Sequence, residues 1–182
     1  VFAFSSLAAL INYAATFAVS FLLSLYLQDV RGLSPQQTGF VLVIQPLVQA
    51  LLSPWAGRLS DRIEPRTVAS IGMALSFVGV VLLNLVGRGT PIAGVVGCLA
   101  FLGVGFALFS SPNTKAIMSS VERQAYGVAS AVVGTARQVG MTFSMGLVMV
   151  VLSVHLGRAT VDPGNADAFV TAMRLVFTIC AA

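Results

Sequence analysis

Charge is what this sequence has least of. Charged residues make up 9% of its 182 positions, where a soluble domain carries about 25%. So few charges cannot solvate a globular surface, so most of the exterior is expected to face lipid. Histidine occurs once, at His155, in a stretch that reads as a solvated loop. Cysteine occurs twice, and both Cys98 and Cys180 lie inside apolar runs. There they read as small hydrophobic fillers, neither a disulfide nor a metal pair. No metal-ligand cluster or nucleophile triad is present, and Gly103-Val104-Gly105 lacks the strand–turn–helix setting of a phosphate-binding loop. No enzyme activity, cofactor or bound metal is expected. Basic runs interleaved with aromatics are also missing, so a nucleic-acid partner is not expected. The ten Lys and Arg against six Asp and Glu are the excess that membrane proteins keep in cytoplasmic loops.

What the sequence does have is long apolar runs. Hydrophobic residues make up 57%, and mean hydropathy is +0.94. A bilayer needs about 20 apolar residues per helix. The runs predict an all-α integral membrane bundle of six helices, with spans at about 2–27, 37–55, 67–86, 92–111, 127–154 and a partial sixth at 169–182. Ser34-Pro35 reads as an N-cap with proline at the first helical position. Polar stretches at Pro112–Tyr126 and His155–Asp167 read as connections. A β-barrel is disfavoured, because these runs do not alternate in polarity. The sequence opens on Val and the last run is too short to cross, so the chain is expected to be a piece of a longer protein, its last helix truncated.

Between the second and third spans lies Gly57-Arg58-Leu59-Ser60-Asp61-Arg62-Ile63-Glu64-Pro65-Arg66, a charged island with five ionic side chains. It reads as a short loop. With Lys115 and Arg123 it puts five Lys or Arg on one set of connections, against three on the other set. The positive-inside rule then places Gly57–Arg66 in the cytoplasm of a multi-pass plasma (cell inner) membrane protein.

Polar groups inside spans are costly unless paired or facing a cavity. Arg137 stands about ten residues, hence about 15 Å, into the fifth span. Its helix face carries Ser130, Gly134, Met141 and Ser144, mostly small or polar. Arg137 either lines a cavity as an anion-binding cation or pins neighbouring helices and reaches for the membrane edge. Gln45 and Gln49 share one face of the second span, with Pro46 between them expected to kink it. Asn12 and Tyr13 lie mid-span in the first helix. Asn12, Gln45, Gln49 and Arg137 are the candidate cavity residues. No Asp or Glu falls inside a span, so a proton-coupling carboxylate, if there is one, must lie outside this chain.

The charged island resembles the loop signature of the major facilitator superfamily, Gly-x-Leu-(small)-Asp-Arg-x-Gly-Arg-(Arg/Lys). Gly57, Leu59, Ser60, Asp61, Arg62 and Arg66 match it, whereas Glu64 and Pro65 depart from it as the second, degenerate copy does. Leu108–Val121, Gly127-Val-Ala-Ser-Ala and Arg137-Gln-Val-Gly140 resemble the fourteen-helix multidrug:proton antiporter branch. The resemblance covers essentially the whole chain. It implies the C-terminal bundle of a transporter whose two bundles rock about a central site. It implies small-molecule substrates, a missing N-terminal bundle as partner, and protons acting through that missing half. It also implies a gating region of Gly57, Asp61, Arg62 and Arg66, in which Asp61 accepts from arginine in one access state. Glu64 offers those arginines a competing partner.

The expected function is proton-driven export of drugs or amphipathic molecules. The alternatives are a non-transporting membrane module or truncated remnant, and a facilitator importing sugars or organic anions.

Overall fold

A computed structural model describes residues 2–157 and 165–181. Among them every regular element is helical. Most of the expected connection His155–Asp167, together with the two chain ends, lies outside the described residues. Helix α1 spans Phe2–Leu25 and runs on into a π-helical turn, Tyr26–Val30. Helix α2 is Pro35–Leu42, α3 is Ile44–Arg62 and α4 is Pro65–Leu83. Helix α5 is Ile92–Met118, α6 is Tyr126–Leu156 and α7 is Ala166–Ala181.

Local sequence accounts for the starts and breaks. Ser34 caps α2 as expected. Its hydroxyl accepts from the Gln37 amide at 3.3 Å, while the Gln37 side chain accepts from the Ser34 amide at 3.1 Å. Two otherwise unpaired donors are thereby satisfied, with Pro35 at the first helical position. Helices α2 and α3 form one rod interrupted at Val43. Pro46 has no amide hydrogen to give the Leu42 carbonyl, and its ring crowds that turn. The disturbance expected at Pro46 therefore falls three residues upstream.

Two polar stretches are more helical than the sequence suggests. The expected loop Gly57–Arg66 is helix through Arg62, and only Ile63 and Glu64 separate α3 from α4. Nothing in Gly57–Arg62 stops a helix. Ser60 donates back to the Gly57 carbonyl at 2.7 Å, and Arg62 complements the helix C-terminus. The stop comes from Pro65, which holds Glu64 out of helical geometry (φ −52°, ψ 123°). Likewise α5 runs through Pro112 to Met118, so the connection expected from Pro112 starts only at Ser119. His155, expected in a loop, sits in the last turn of α6, its Nδ1 3.0 Å from the Val151 carbonyl.

Among the described residues five rods are long and apolar enough to cross a membrane: Phe2–Val30, Pro35–Arg62, Pro65–Leu83, Ile92–Met118 and Arg123–Leu156. Helix α5 lies between α3 and α4, α1 pairs with α6, and α7 packs on α1, α4 and α6. Close approach depends on glycine at several seams, Gly103 against the Gln45 carbonyl between α5 and α3 among them. Gly72 and Gly105 face each other between α4 and α5, and a Cβ on Gly72 would overlap the Phe109 amide. A Cβ on Gly140 of α6 would stand 2.5 Å from the Leu10 carbonyl of α1.

The main core gathers Leu22, Tyr26, Leu83, Leu99, Phe169, Met173 and Phe177 at one end of the bundle. Polar ties fasten that end. The Tyr26 hydroxyl donates to the Gly87 carbonyl at 2.8 Å, Arg174 donates to the Val86 carbonyl at 3.3 Å, and Arg31 donates to the Arg88 carbonyl. Arg88 pairs with Asp167 at 3.1 Å. At the opposite end, where Asp61 lies, the buried cluster shrinks to Ala9, Ala69 and Phe109.

Candidate solute groove and gating contact

Gln45 and Gln49 meet where the rods leave space. They lie one turn apart on α3, and both line a groove of about 290 Å³ between α1, the α2–α3 break, α5 and α6. Tyr13 and Phe17 come from α1, Phe106 from α5 and Met141 from α6. Leu42 and Pro46 also line it, so the carbonyl that proline deprives of its helical donor belongs to a groove residue. Broken helices are tolerated at membrane depth where they border a cavity. Gln45 is only 5% exposed.

Asn12 does not join them. Successive helical residues point about 100° apart, and Tyr13 takes the groove side. Asn12 faces Ser76 and Phe77 of α4 across a separate cleft of about 210 Å³. Its Oδ1 and the Ser76 hydroxyl are buried there without hydrogen-bond partners among the described residues.

Arg137 is connected to the groove through Tyr13. Its guanidinium carbon lies 4.6 Å from the Tyr13 ring centroid, and Nη2 is 3.4 Å from the Thr114 hydroxyl. Its Nε is buried and has no hydrogen-bond partner among the described residues. Thr114 is four residues from the end of α5, so the guanidinium sits about 6 Å from that end. An arginine points back toward its helix N-terminus, which carries the charge well short of the midplane where its backbone position alone would put it. Tyr13 is held on two further sides. Phe106 meets it edge-on at 5.0 Å, and the Ser110 and Tyr13 hydroxyls are 3.3 Å apart. On the Arg137 face, Met141 reaches the groove, Ser144 is buried, and Ser130 and Gly134 are exposed.

In the candidate gating region expected from sequence, the partner of Asp61 is Lys115 of α5. Lys115 also donates to the Ser60 carbonyl at 3.1 Å, so one ammonium ties the end of α3 to α5. Arg66 instead stands 3.8 Å from Glu64, the competing partner expected from sequence. Arg62 makes no ion pair among the described residues and, with Arg58, Asp61 and Trp55, lines a cleft of about 390 Å³. Gly57 is spaced for ordinary contact, since a Cβ there would meet Ser111 Oγ at 3.4 Å. Sequence alone gives Thr114 and Lys115 a place in the Leu108–Val121 stretch but not their partners. Only the unbroken run of α5 through Pro112 brings them to Asp61 and Arg137.

Apolar rods of membrane-crossing length packed through glycines, with a broken rod bordering a polar-flecked groove, define a multi-pass membrane protein. The chain belongs to the Major Facilitator Superfamily, whose sequence pattern matches residues 5–182. It is 32% identical over 134 residues to the riboflavin transporter RibZ of Clostridioides difficile, covering 74% of this chain and 29% of that protein. It is 29% identical over 159 residues to the multidrug resistance protein Stp of Mycobacterium tuberculosis, covering 83% and 29%. It is 24% identical over 143 residues to the lincomycin resistance protein LmrB of Listeria monocytogenes, covering 79% and 30%. The chain spans about a third or less of the length of these curated relatives.

Proposed function

We propose that this chain is one of the two bundles of a plasma-membrane secondary transporter that exports drugs or amphipathic small molecules by alternating access. Protons drive it through a carboxylate in the other bundle, since the acidic residues of the described rods, Asp29 and Asp61, stand at rod ends and not in a span interior. The Asp61 end faces the cytoplasm, as the positive-inside rule favours.

The observation that carries this reading is the groove with Gln45, Gln49 and Tyr13, bordered by the two least covered rods. Within the 18-residue apolar stretch of each rod, 11% of the residues are buried in Pro35–Arg62 and 22% in Arg123–Leu156, against 44% in Ile92–Met118. Their exposed apolar side chains, Leu47, Leu51, Trp55, Val139 and Phe143, suit a second bundle closing over the groove. In this scheme Asp61 is a switch. It is held by Lys115 in one access state and released to a donor on the other bundle in the other.

A proton-gradient-dependent dye-efflux assay of the full-length transporter tests this, using Asp61→Asn and Arg137→Ala. Efflux that collapses with the gradient and falls in both variants is the expected result. Efflux indifferent to the gradient removes the proton drive, and wild-type rates in both variants remove the two assigned roles.

A second reading follows from the relative named a riboflavin transporter. The same groove would move a flavin, and competition between riboflavin and the dye separates the two cases.

A further inference from the structure

The geometry points to a charge and hydrogen-bond preference in the groove: it takes flat, uncharged or anionic heteroaromatic solutes with donors and acceptors along one edge, and turns away cations. This rests on the transporter reading above and deepens it.

Three observations converge. First, the residues lining the groove include no carboxylate, ammonium, guanidinium or imidazole, although the lining is polar at Tyr13, Gln45 and Gln49. A permanent cation entering it would lose hydration and find no counter-charge on this wall, an expensive exchange at low dielectric. Second, the formal charge that touches the wall is positive. Arg137 stacks on Tyr13, which itself lines the groove, and its buried Nε has no hydrogen-bond partner among the described residues. Its field penalises a second cation and favours an anion. Third, the polar groups are matched to an edge. Two amides one helical turn apart each offer donors and an acceptor, and the Leu42 carbonyl has no proline amide to accept from. Phe17, Phe106 and Tyr13 supply aromatic surface for a ring to lie against.

The volume of about 290 Å³ is at the lower end of ligand pockets, which run about 300–1,000 Å³. It suits one wall of a site for a tricyclic ring system.

The test uses three flat tricyclic fluorophores of similar size: lumichrome (neutral), resorufin (anion) and thionine (cation). Binding to the purified full-length transporter in nanodiscs is followed by fluorescence anisotropy, and transport is measured separately in proteoliposomes. Lumichrome and resorufin are expected to bind at least about tenfold more tightly than thionine, the scale of one well-placed polar interaction. Gln49→Leu is expected to weaken lumichrome by about tenfold. Gln49→Glu, which keeps size and adds a carboxylate, is expected to admit thionine and reject resorufin. Equal binding of all three dyes, no binding of any, or wild-type lumichrome affinity in Gln49→Leu overturns the inference. Selective binding without movement in proteoliposomes upholds the preference and overturns the transport reading instead.

Discussion

The guanidinium of Arg137 and the ring of Tyr13 stand 4.6 Å apart, on helices α6 and α1. The contact joins the one arginine well inside a span of α6 to an aromatic wall of the groove. Stacking satisfies a cation that would otherwise cost about 2.5–3.5 kcal/mol at the bilayer centre, and the long side chain shortens that exposure by leading toward Thr114.

The pair is expected to be energetically coupled. Tyr13→Phe keeps the ring and should melt close to wild type, whereas Tyr13→Leu and Arg137→Gln should each lower stability. A double-mutant cycle should return a coupling of about 0.5–2 kcal/mol. Strict additivity would mean that the stack carries no energy.

Lys115 and Asp61 are expected to matter for switching more than for folding. Both side chains are substantially exposed, and such pairs contribute about 0–1 kcal/mol. Lys115→Ala should therefore change the melting temperature little but shift the balance between access states. Thiol accessibility of a cysteine placed at Gln49 reports that balance, in a background lacking Cys98 and Cys180. A large melting shift with unchanged accessibility would make the pair a structural tie only.

The helix seams are expected to tolerate no side chain. Gly72→Val and Gly140→Val should each cost about 1–3 kcal/mol by overpacking, seen as lost monodispersity or a lower melting temperature. Gly97, with nothing within 4 Å of an added Cβ, is the control. Gly97→Ala should be neutral or stabilising by up to about 1 kcal/mol.

Tyr26→Phe is expected to loosen the end opposite Asp61. It removes the 2.8 Å hydrogen bond to the Gly87 carbonyl, at a cost of about 1 kcal/mol. Proteolysis of the α4–α5 connection should speed up accordingly.

Much of this architecture was legible in the sequence, because apolar runs of bilayer length have few alternatives. Ser34-Pro35 named its own helix start, and Pro46 announced the broken rod. The charged island misled in one respect. Polar composition was taken for a loop, yet Gly57–Arg62 and Pro112–Met118 are helix. Charge at a helix end reports proximity to water, not loss of helical hydrogen bonds. The site was only partly legible. Gln45 and Gln49 share a groove because one helix face sets their direction, which periodicity gives. Asn12 lines a separate cleft, because its neighbour Tyr13 takes the groove side of α1. The Lys115–Asp61 and Arg137–Tyr13 contacts depend on which rods pack together, and no local pattern encodes that.

The central claim is that solute passes along the groove at Gln45 and Gln49. Gln49→Trp in the full-length transporter fills that space from a half-buried position on α3. Proton-driven efflux from proteoliposomes is the decisive measurement. A fall of at least about tenfold in rate, about 1.4 kcal/mol in the barrier, is expected, with melting temperature and insertion unchanged. Efflux at the wild-type rate through a correctly folded Gln49→Trp protein would contradict it.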